Sequence, residues 1–207
     1  MKVLLINGGP HADGSTNRAL DEIIEVLNSE GIETEKIQVG NLDVHGCLAC
    51  GFCHENGRCV FDDVVNEAAA KMAECDGLIV GTPVHYASPS GAVISFLDRL
   101  FYSTRSDLFA GKPAAAVVSA RRAGTTSSFE VINKYFTISS MPVISANYWN
   151  EVYGNNKHQT EQDEEGLRTM RNLARNMAFV LKAFDLAKKQ GISFPEQEKG
   201  KSTNFIR

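Results

Sequence analysis

The 207-residue sequence lacks the features that mark several large classes of protein. Its formal net charge is −4, its pI is about 5.8, and it has no basic patch, which disfavours a nucleic-acid partner. No apolar run approaches the roughly 20 residues that a membrane-spanning helix needs. The first residues indicate a buried strand rather than a signal peptide. With no internal repeat, low-complexity block or linker, we expect one cytoplasmic domain without a membrane partner.

Cysteine is scarce, yet four of the five cysteines fall close together. They are Cys47, Cys50, Cys53 and Cys59, in the spacing C-x2-C-x2-C-x5-C. Clustered cysteines favour a metal or redox site over structural disulfides. The spacing suits a [4Fe–4S] cluster, because three closely spaced thiolates wrap one face and the fourth closes the cube. Zinc, or free thiols with a redox-active pair of Cys50 and Cys53, are the alternatives. The fifth, Cys75, is predicted to be a buried, inert thiol.

Two common nucleotide-binding motifs are missing from the glycine-rich segment that follows the first apolar run. Residues 8–17 read GGPHADGSTN, which matches neither G-x-x-x-x-G-K-[ST] nor G-x-G-x-x-G. An NTPase and a dinucleotide-binding protein are therefore disfavoured. The segment leads into a helical pattern, so the N–H groups at the helix start, aided by Ser15, Thr16 and Asn17, can hold one phosphate. A strand–turn–helix connection with a Ser/Thr cap is the alternative.

Apolar runs and helical patterns alternate along the chain. Runs of strand type cover residues 2–7, 33–39, 77–82, 113–119 and 141–145, and helical patterns cover residues 15–27, 63–75, 89–101, 126–139 and 163–189. This alternation predicts an α/β fold with a doubly wound, five-stranded parallel sheet and helices on both faces. Such folds bind ligands outside the carboxyl ends of the strands. We expect one domain over residues 1–190, with a cysteine-rich insert at 43–62 and a polar tail at 191–207.

Two further loops follow strands of the predicted sheet. Residues 82–89, TPVHYASP, can lay backbone and aromatic edges against a flat heterocycle. Residues 119–125, SARRAGT, can bring amides to the pyrimidine edge of an isoalloxazine, and an arginine there can oppose negative charge on the reduced ring. A turn with exposed aromatics, or a solvated basic pair, explains each loop equally well alone. Because three candidate loops fall at adjacent strand ends, a flavin mononucleotide (FMN) site explains them better together.

These segments resemble the flavodoxin-like NAD(P)H-dependent FMN reductases, and within them the iron–sulfur flavoproteins. The resemblance is carried by residues 8–17, by the segment GCLACGFCHENGRC at 46–59 with Asp62 and Asp63, and by residues 82–89 with Gly91, Asp98 and Arg99. It implies a flavodoxin-like fold, bound FMN and NAD(P)H as an electron donor, and it leaves open whether the four cysteines hold a [4Fe–4S] cluster. The implied FMN contacts form three groups: Gly9, His11, Ser15, Thr16 and Asn17 at the phosphate, Pro83, Val84, His85 and Tyr86 at the ring, and Ser119, Arg121, Gly124 and Thr125 at the pyrimidine edge.

The sequence therefore predicts a flavoprotein oxidoreductase. We expect electrons to pass from NAD(P)H or a low-potential donor through FMN to an unidentified acceptor; if the cluster is present, it is the one-electron relay. That acceptor is a quinone, a nitro or azo compound, oxygen or another protein. No catalytic side chain is expected, because the cofactor carries the chemistry. A non-enzymatic carrier of the flavodoxin or ferredoxin type, and a cofactor-free structural or regulatory relative, are the alternatives. The resemblance also implies a homodimer or homotetramer, with Tyr148, Trp149 and residues 150–162 as covering surfaces.

Overall fold

Strands and helices alternate along the computed structural model, which describes residues 1–104, 106–198, 200 and 203. The strands are β1 (Lys2–Asn7), β2 (Glu33–Gln38), β3 (Gly77–His85), β4 (Ser88–Pro89), β5 (Ala114–Ala120) and β6 (Glu151–Tyr153). The helices are α1 (Ser15–Ser29), α2 (Phe52–Asn56), α3 (Val64–Glu74), α4 (Gly91–Ser103), α5 (Thr125–Ile138), α6 (Lys157–Thr160) and α7 (Glu164–Lys189), with a short 3-10 helix at Ser106–Leu108.

Five strands form a parallel sheet in the order β2-β1-β3-β5-β6. The two-residue β4 is a sixth strand, which pairs antiparallel with the end of β3. The predicted doubly wound parallel sheet is therefore confirmed, with one short strand more than the five predicted. The strand order reverses beside β1, so the crevice outside the carboxyl ends of β1 and β3 is where a ligand is expected.

The central strands are apolar throughout because helices cover both faces of the sheet. On one face α1 and α7 bury Leu20, Ile23 and Met177 against the sheet. On the other face α3, α4 and α5 bury a second core, which includes Phe96 and Phe136. Every residue of β5 is buried, as are five of the six in β1. These two cores fix the strand ends, and with them the loops that form the candidate site.

The last strand lies elsewhere than the sequence predicts. The apolar run at 141–145 makes only an isolated bridge, between Val143 and Ala114. The strand that pairs with the end of β5 is β6, ten residues further along the chain. Pro142 cannot donate to a ladder, which limits pairing there. Met141 and Ile144 are nevertheless buried, so the run is apolar because it is core and not because it is a strand.

Two smaller differences concern the ends of elements. Pro89, predicted in the first turn of a helix, belongs to β4, and α4 begins two residues later at Gly91. The tail predicted at 191–207 begins where α7 ends, and Phe194 lies close against Gly111. Residues 199, 201–202 and 204–207 of that tail lie outside the described residues. None of the described helices has the length and apolar character needed to cross a membrane.

Candidate functional site

A buried polar network holds the loop that follows β1. Asn7, fully buried at the end of the strand, accepts a hydrogen bond from the Gly9 N–H at 2.9 Å through its Oδ1 atom. Its Nδ2 donates to Oε1 of Gln38 at 2.6 Å. Nε2 of Gln38 donates in turn to the Gly9 carbonyl at 2.6 Å. Both polar groups of the Gly9 backbone are thus fixed by side chains from two neighbouring strands.

Close backbone approach requires glycine at two positions around this loop. A Cβ on Gly8 would lie 1.9 Å from Cγ2 of Val93 and 2.8 Å from the carbonyl oxygen of Gly81. A Cβ on Gly40 would lie 2.3 Å from the carbonyl oxygens of both Gly8 and Gly9. Backbone oxygens cannot move aside as a flexible side chain can. The loop therefore keeps its shape only while these two positions lack side chains.

The start of α1 provides hydrogen-bond donors at the end of this loop. Gly14 precedes the helix without a side-chain cap, and the first turn carries no acidic residue. The N–H groups of that turn have no intrahelical acceptors and lie at the positive end of the helix dipole. The Ser15 hydroxyl donates to the Gly154 carbonyl at 3.1 Å, and the hydroxyls of Thr16 and Ser119 lie 2.7 Å apart. This arrangement suits a phosphate group.

These elements line a cleft of about 570 Å³, a size typical of small-molecule sites. Nine predicted cofactor contacts line it: Gly9, His11, Ser15, Thr16, Pro83, Val84, His85, Ser119 and Arg121. They come from the ends of β1, β3 and β5, the three neighbouring strands that the sequence indicates. The structure thus brings together residues that lie more than a hundred positions apart in the chain.

Asn17, predicted as a phosphate contact, does not line this cleft. It is buried on the first turn of α1, where its side chain makes other bonds. Its Oδ1 accepts from Nζ of Lys36 at 2.6 Å, and its Nδ2 donates to Asp21 at 2.6 Å. Asn17 therefore ties α1 to β2, while its backbone N–H remains at the helix start.

Tyr86, Gly124 and Thr125 also lie outside the cleft lining. Tyr86 is fully exposed, with a left-handed φ of 51° beside Ala87 at 58°. Gly124, at φ 90°, precedes α5, and a Cβ there would lie 2.6 Å from Cα of Ala87. Thr125 is buried, and its hydroxyl lies 3.4 Å from that of Tyr153. Their roles as cofactor contacts stay predictions.

The four clustered cysteines line one small hollow between the 47–61 segment and α4. Cys47 and Cys50 are exposed, Cys53 is partly buried and Cys59 is buried. Burial raises the pKa of the Cys53 thiol, and the neighbouring thiols add to this effect. Within the described residues, no three metal-binding side chains already stand at the geometry of a metal site. Four thiols are the ligand set of an iron–sulfur cluster, and here all four lie around one hollow, so these residues fit such a cluster.

Arg99 of α4 lies behind this hollow and is only 1% exposed. Its guanidinium pairs with both carboxylate oxygens of Asp63, at 2.7 and 2.8 Å. Nε lies 3.2 Å from Sγ of Cys59 and donates to it. The remaining bonds go to the carbonyls of His45 at 3.3 Å and Phe61 at 3.4 Å. The buried cation of Arg99 is therefore bonded to both sides of the cysteine segment (residues 47–59): to His45 before it, and to Phe61 and Asp63 after it.

Comparison with known proteins decides the family. The model of the family described as NADPH-dependent FMN reductase matches residues 1–156, which is most of the chain. This chain belongs to the NADPH-dependent FMN reductase family. The predictions of family membership and of a flavin-dependent oxidoreductase are thereby confirmed.

The chain is also similar to one curated relative in sequence and to two solved structures in fold. It is 32% identical over 192 residues to an iron–sulfur flavoprotein of Methanocaldococcus jannaschii, and the match covers 88% of this chain and 98% of the relative. Its fold matches RosB with a bound 8-demethyl-8-formylriboflavin-5'-phosphate at a TM-score of 0.72, 14% identity and coverage of 100% and 92%. It also matches an archaeal flavodoxin at 0.61, 15% identity and coverage of 88% and 99%. The flavodoxin-like fold is confirmed.

A further wall of the cleft in this FMN reductase comes from the residues after β6. The sequence predicts residues 150–162 as a surface that covers the flavin, and in the structure five of them line this cleft: Gly154, Asn155, Asn156, Lys157 and His158. Gly154 is required there, since a Cβ would lie 2.5 Å from Oγ1 of Thr160. A sequence signal exists, because polar residues follow a strand end here as they do in the other loops. The sequence alone does not place this loop at a strand end, because the apolar run at 141–145 predicts the last strand ten residues too early.

Proposed function

We propose that this FMN reductase binds FMN in the 570 Å³ cleft and transfers electrons from NAD(P)H or a low-potential donor to an unidentified acceptor. One observation carries the proposal. The start of α1, which has no side-chain cap and no acidic residue, meets the loops after β1, β3 and β5 at the point where the strand order reverses. When bound, FMN supplies hydride and single-electron chemistry. The chain itself binds and orients the cofactor.

The phosphate would lie at the first turn of α1. Free N–H groups, together with the hydroxyls of Ser15 and Thr16, are the donors that an anion needs there. Lys157 lines the same cleft and adds positive charge from the side of β6. The network of Asn7 and Gln38 keeps the Gly9 backbone fixed before any ligand arrives, which lowers the ordering cost of binding.

The ring would lie against the end of β3. Pro83 and Val84 offer apolar surface there, and the short pairing of β3 with β4 holds them in place through the pairs Val84–Pro89 and His85–Ser88. Arg121, from the loop after β5, lines the same cleft and can oppose negative charge on the ring edge. No residue of the chain is assigned as an acid or base for this step.

We also propose a [4Fe–4S] cluster in the cysteine hollow, with Cys47, Cys50, Cys53 and Cys59 as its ligands. Support comes from the shared hollow, from the hydrogen bond to Cys59 and from the name of the Methanocaldococcus relative as an iron–sulfur flavoprotein. Left-handed backbone at Ala49, and at the glycines on either side of α2, lets the segment turn tightly around a small centre. Bound zinc and free thiols are the outcomes that metal analysis would distinguish.

Assembly and location complete the proposal. Tyr148 and Trp149 are each about half exposed and stack edge to face at 5.0 Å, close in sequence to β6. Paired exposed aromatics suit a contact between copies, so we propose a homodimer or homotetramer that covers the cleft. A cytoplasmic location stays a prediction from the sequence.

Anaerobic spectroscopy tests this function. Protein purified without oxygen should release FMN on denaturation, contain iron and acid-labile sulfide, and lose its flavin absorbance when NAD(P)H is added. A protein that binds FMN but is reduced only by dithionite would be an electron carrier instead of a reductase. Protein that contains no flavin, even after reconstitution with FMN, would contradict the proposal.

A further inference from the structure

Arg99 uses its entire hydrogen-bonding capacity on the cysteine segment. A guanidinium carries five N–H donors, and those of Arg99 have five acceptors in the structure. Two acceptors are the oxygens of Asp63, two are the carbonyls of His45 and Phe61, and the fifth is the sulfur of Cys59. Its guanidinium carbon also lies 4.8 Å from the ring centre of Phe61. A cation that is so buried and so fully paired is fixed in place.

The position of Arg99 is set by the core and not by the cysteine segment. It lies on α4 between Phe96 and Leu100, both of which are fully buried. Asp63 in turn precedes α3 and accepts a hydrogen bond from the Val65 N–H at 3.0 Å. Two helices of the core therefore hold the guanidinium against Sγ of Cys59, whether or not the exposed part of the segment is ordered.

Among the described contacts of the four clustered cysteines, Cys59 alone receives a hydrogen bond from a charged donor. Cys53 lies 3.9 Å from the Tyr102 carbonyl, to which its own thiol is the donor. Cys47 and Cys50 are exposed. The electrostatic environment of the four sulfurs is thus unequal, and the positive charge lies on the buried side.

We propose that Arg99 is a positioning residue that raises the reduction potential of the cysteine-bound centre through its N–H···S bond to Cys59. This inference rests on the proposed cluster. Adding one electron makes such a centre one unit more negative. The Asp63 carboxylate offsets part of the guanidinium charge, so the effect rests on the hydrogen bond to the ligand sulfur. That bond stabilises the more negative form and shifts the equilibrium toward reduction. The low dielectric of the interior strengthens the effect.

The test compares Arg99→Lys with Asp63→Asn. Lysine keeps the charge but loses the planar fork and the fixed Nε–H. Asparagine removes the negative charge of Asp63 and one of its two acceptors for Arg99. Its remaining oxygen can keep the cap of α3 and one bond from Arg99, and the bond from Arg99 to Cys59 stays possible. Redox titration of the anaerobic proteins with dithionite and mediators, followed at the cluster absorbance, gives each potential.

The two variants should move the potential in different directions. Arg99→Lys should shift the oxidised-to-reduced ratio at least tenfold toward the oxidised form, which is about 59 mV for one electron. Asp63→Asn should leave the potential unchanged or raise it. If both variants lower the potential equally, the residues act only by holding the segment together, and the inference is wrong. It is also wrong if Arg99→Lys leaves the potential unchanged.

A measurement on the unaltered protein decides the matter even if Arg99→Lys does not fold. Protein labelled with ¹⁵N only at the guanidinium nitrogens of arginine, which leaves the backbone nitrogen of Arg58 beside Cys59 unlabelled, should show a ¹⁵N coupling to the reduced cluster in pulsed electron paramagnetic resonance. Absence of that coupling in a protein with full iron content would overturn the role of Arg99 and leave the cluster intact. Absence of iron and sulfide from anaerobic wild-type protein would overturn the cluster itself, and the inference with it.

Discussion

Removing the Ser15 hydroxyl provides a quantitative test of the phosphate site. That hydroxyl has one proton, which goes to the Gly154 carbonyl at 3.1 Å in the structure. To donate to a phosphate it must give up this bond. A hydrogen bond to a charged group is worth about 1.5–3 kcal/mol and a neutral one about 0.5–1.5 kcal/mol. The difference, about 1 kcal/mol, is the net contribution of Ser15 to FMN binding.

Ser15→Ala should therefore weaken FMN binding by roughly fivefold, since about 1.4 kcal/mol corresponds to a factor of ten. The Thr16 hydroxyl bonds that of Ser119, with either one as the donor, and the same net contribution applies to Thr16 where its own proton makes that bond. If the two losses add, Ser15→Ala with Thr16→Ala should weaken FMN binding roughly 30-fold, for about 2 kcal/mol in total. The backbone N–H groups of α1 remain, so binding weakens without being abolished. Fluorescence titration of apoprotein with FMN measures these constants.

Two controls make this prediction specific to the phosphate. Ser29→Ala removes a hydroxyl from the other end of α1, where it donates to the Val26 carbonyl at 2.8 Å, and should leave FMN binding unchanged. Riboflavin lacks the phosphate, so its affinity should not depend on Ser15. If riboflavin and FMN are weakened equally by Ser15→Ala, or if Ser29→Ala acts as strongly, the phosphate does not lie at this helix start.

Three other predictions concern the cluster, stability and assembly. Cys53→Ser should abolish the iron–sulfur absorbance and leave FMN content unchanged; an unaltered cluster spectrum would exclude this ligand. Burial alone would raise the pKa of Glu22, but hydrogen bonds from Arg171 and Arg18 lower this pKa below the ordinary value of 4.5. The Glu22 carboxylate therefore stabilises the fold fully above pH 4.5, and this stabilisation is lost as the pH falls through the lowered pKa. Glu22→Gln should therefore cost about 1–2 kcal/mol at pH 7 and flatten the acid dependence of urea unfolding. Sedimentation should show at least a dimer at micromolar concentration, weakened by Trp149→Glu; an FMN-bound monomer would contradict this.

The elements that the sequence predicts well are those buried on both sides. The apolar runs of β1, β3 and β5 are continuous because helices cover both faces of the sheet. By contrast, β6 is only three residues long and reads Glu-Val-Tyr, of which Val152 alone enters the core beneath α1 and α7. A strand so short has no periodicity of its own, and the buried run at 141–145 gives the stronger strand signal.

The candidate site divides in the same way. Glycine and hydroxyl residues directly after a strand predict the cleft, because they shape the loop in which they themselves lie. The contacts of Asn7 with Gln38, and of Arg99 with Cys59, join residues 31 and 40 positions apart. Contacts between residues so far apart in the chain cannot be predicted from a local sequence pattern. Asn7 follows four apolar residues at a strand end, which is a signal of a polar role but not of its partner.

The cysteine segment is buried at one end and exposed at the other, because the hydrophobic core reaches only as far as Cys59. Cys59 belongs to the buried cluster beneath α3 and α4, with Phe61 packed against it. Cys47 and Cys50 lie on exposed chain without helix or strand. The described hydrogen bonds of Arg99 go to His45, Cys59, Phe61 and Asp63, on either side of residues 47–57. Loss of a metal centre should therefore loosen residues 47–57 and leave 59–63 in place. In the proposed cluster the core would supply one preformed ligand, Cys59, and the other three thiols would close around a centre that is already anchored at one corner.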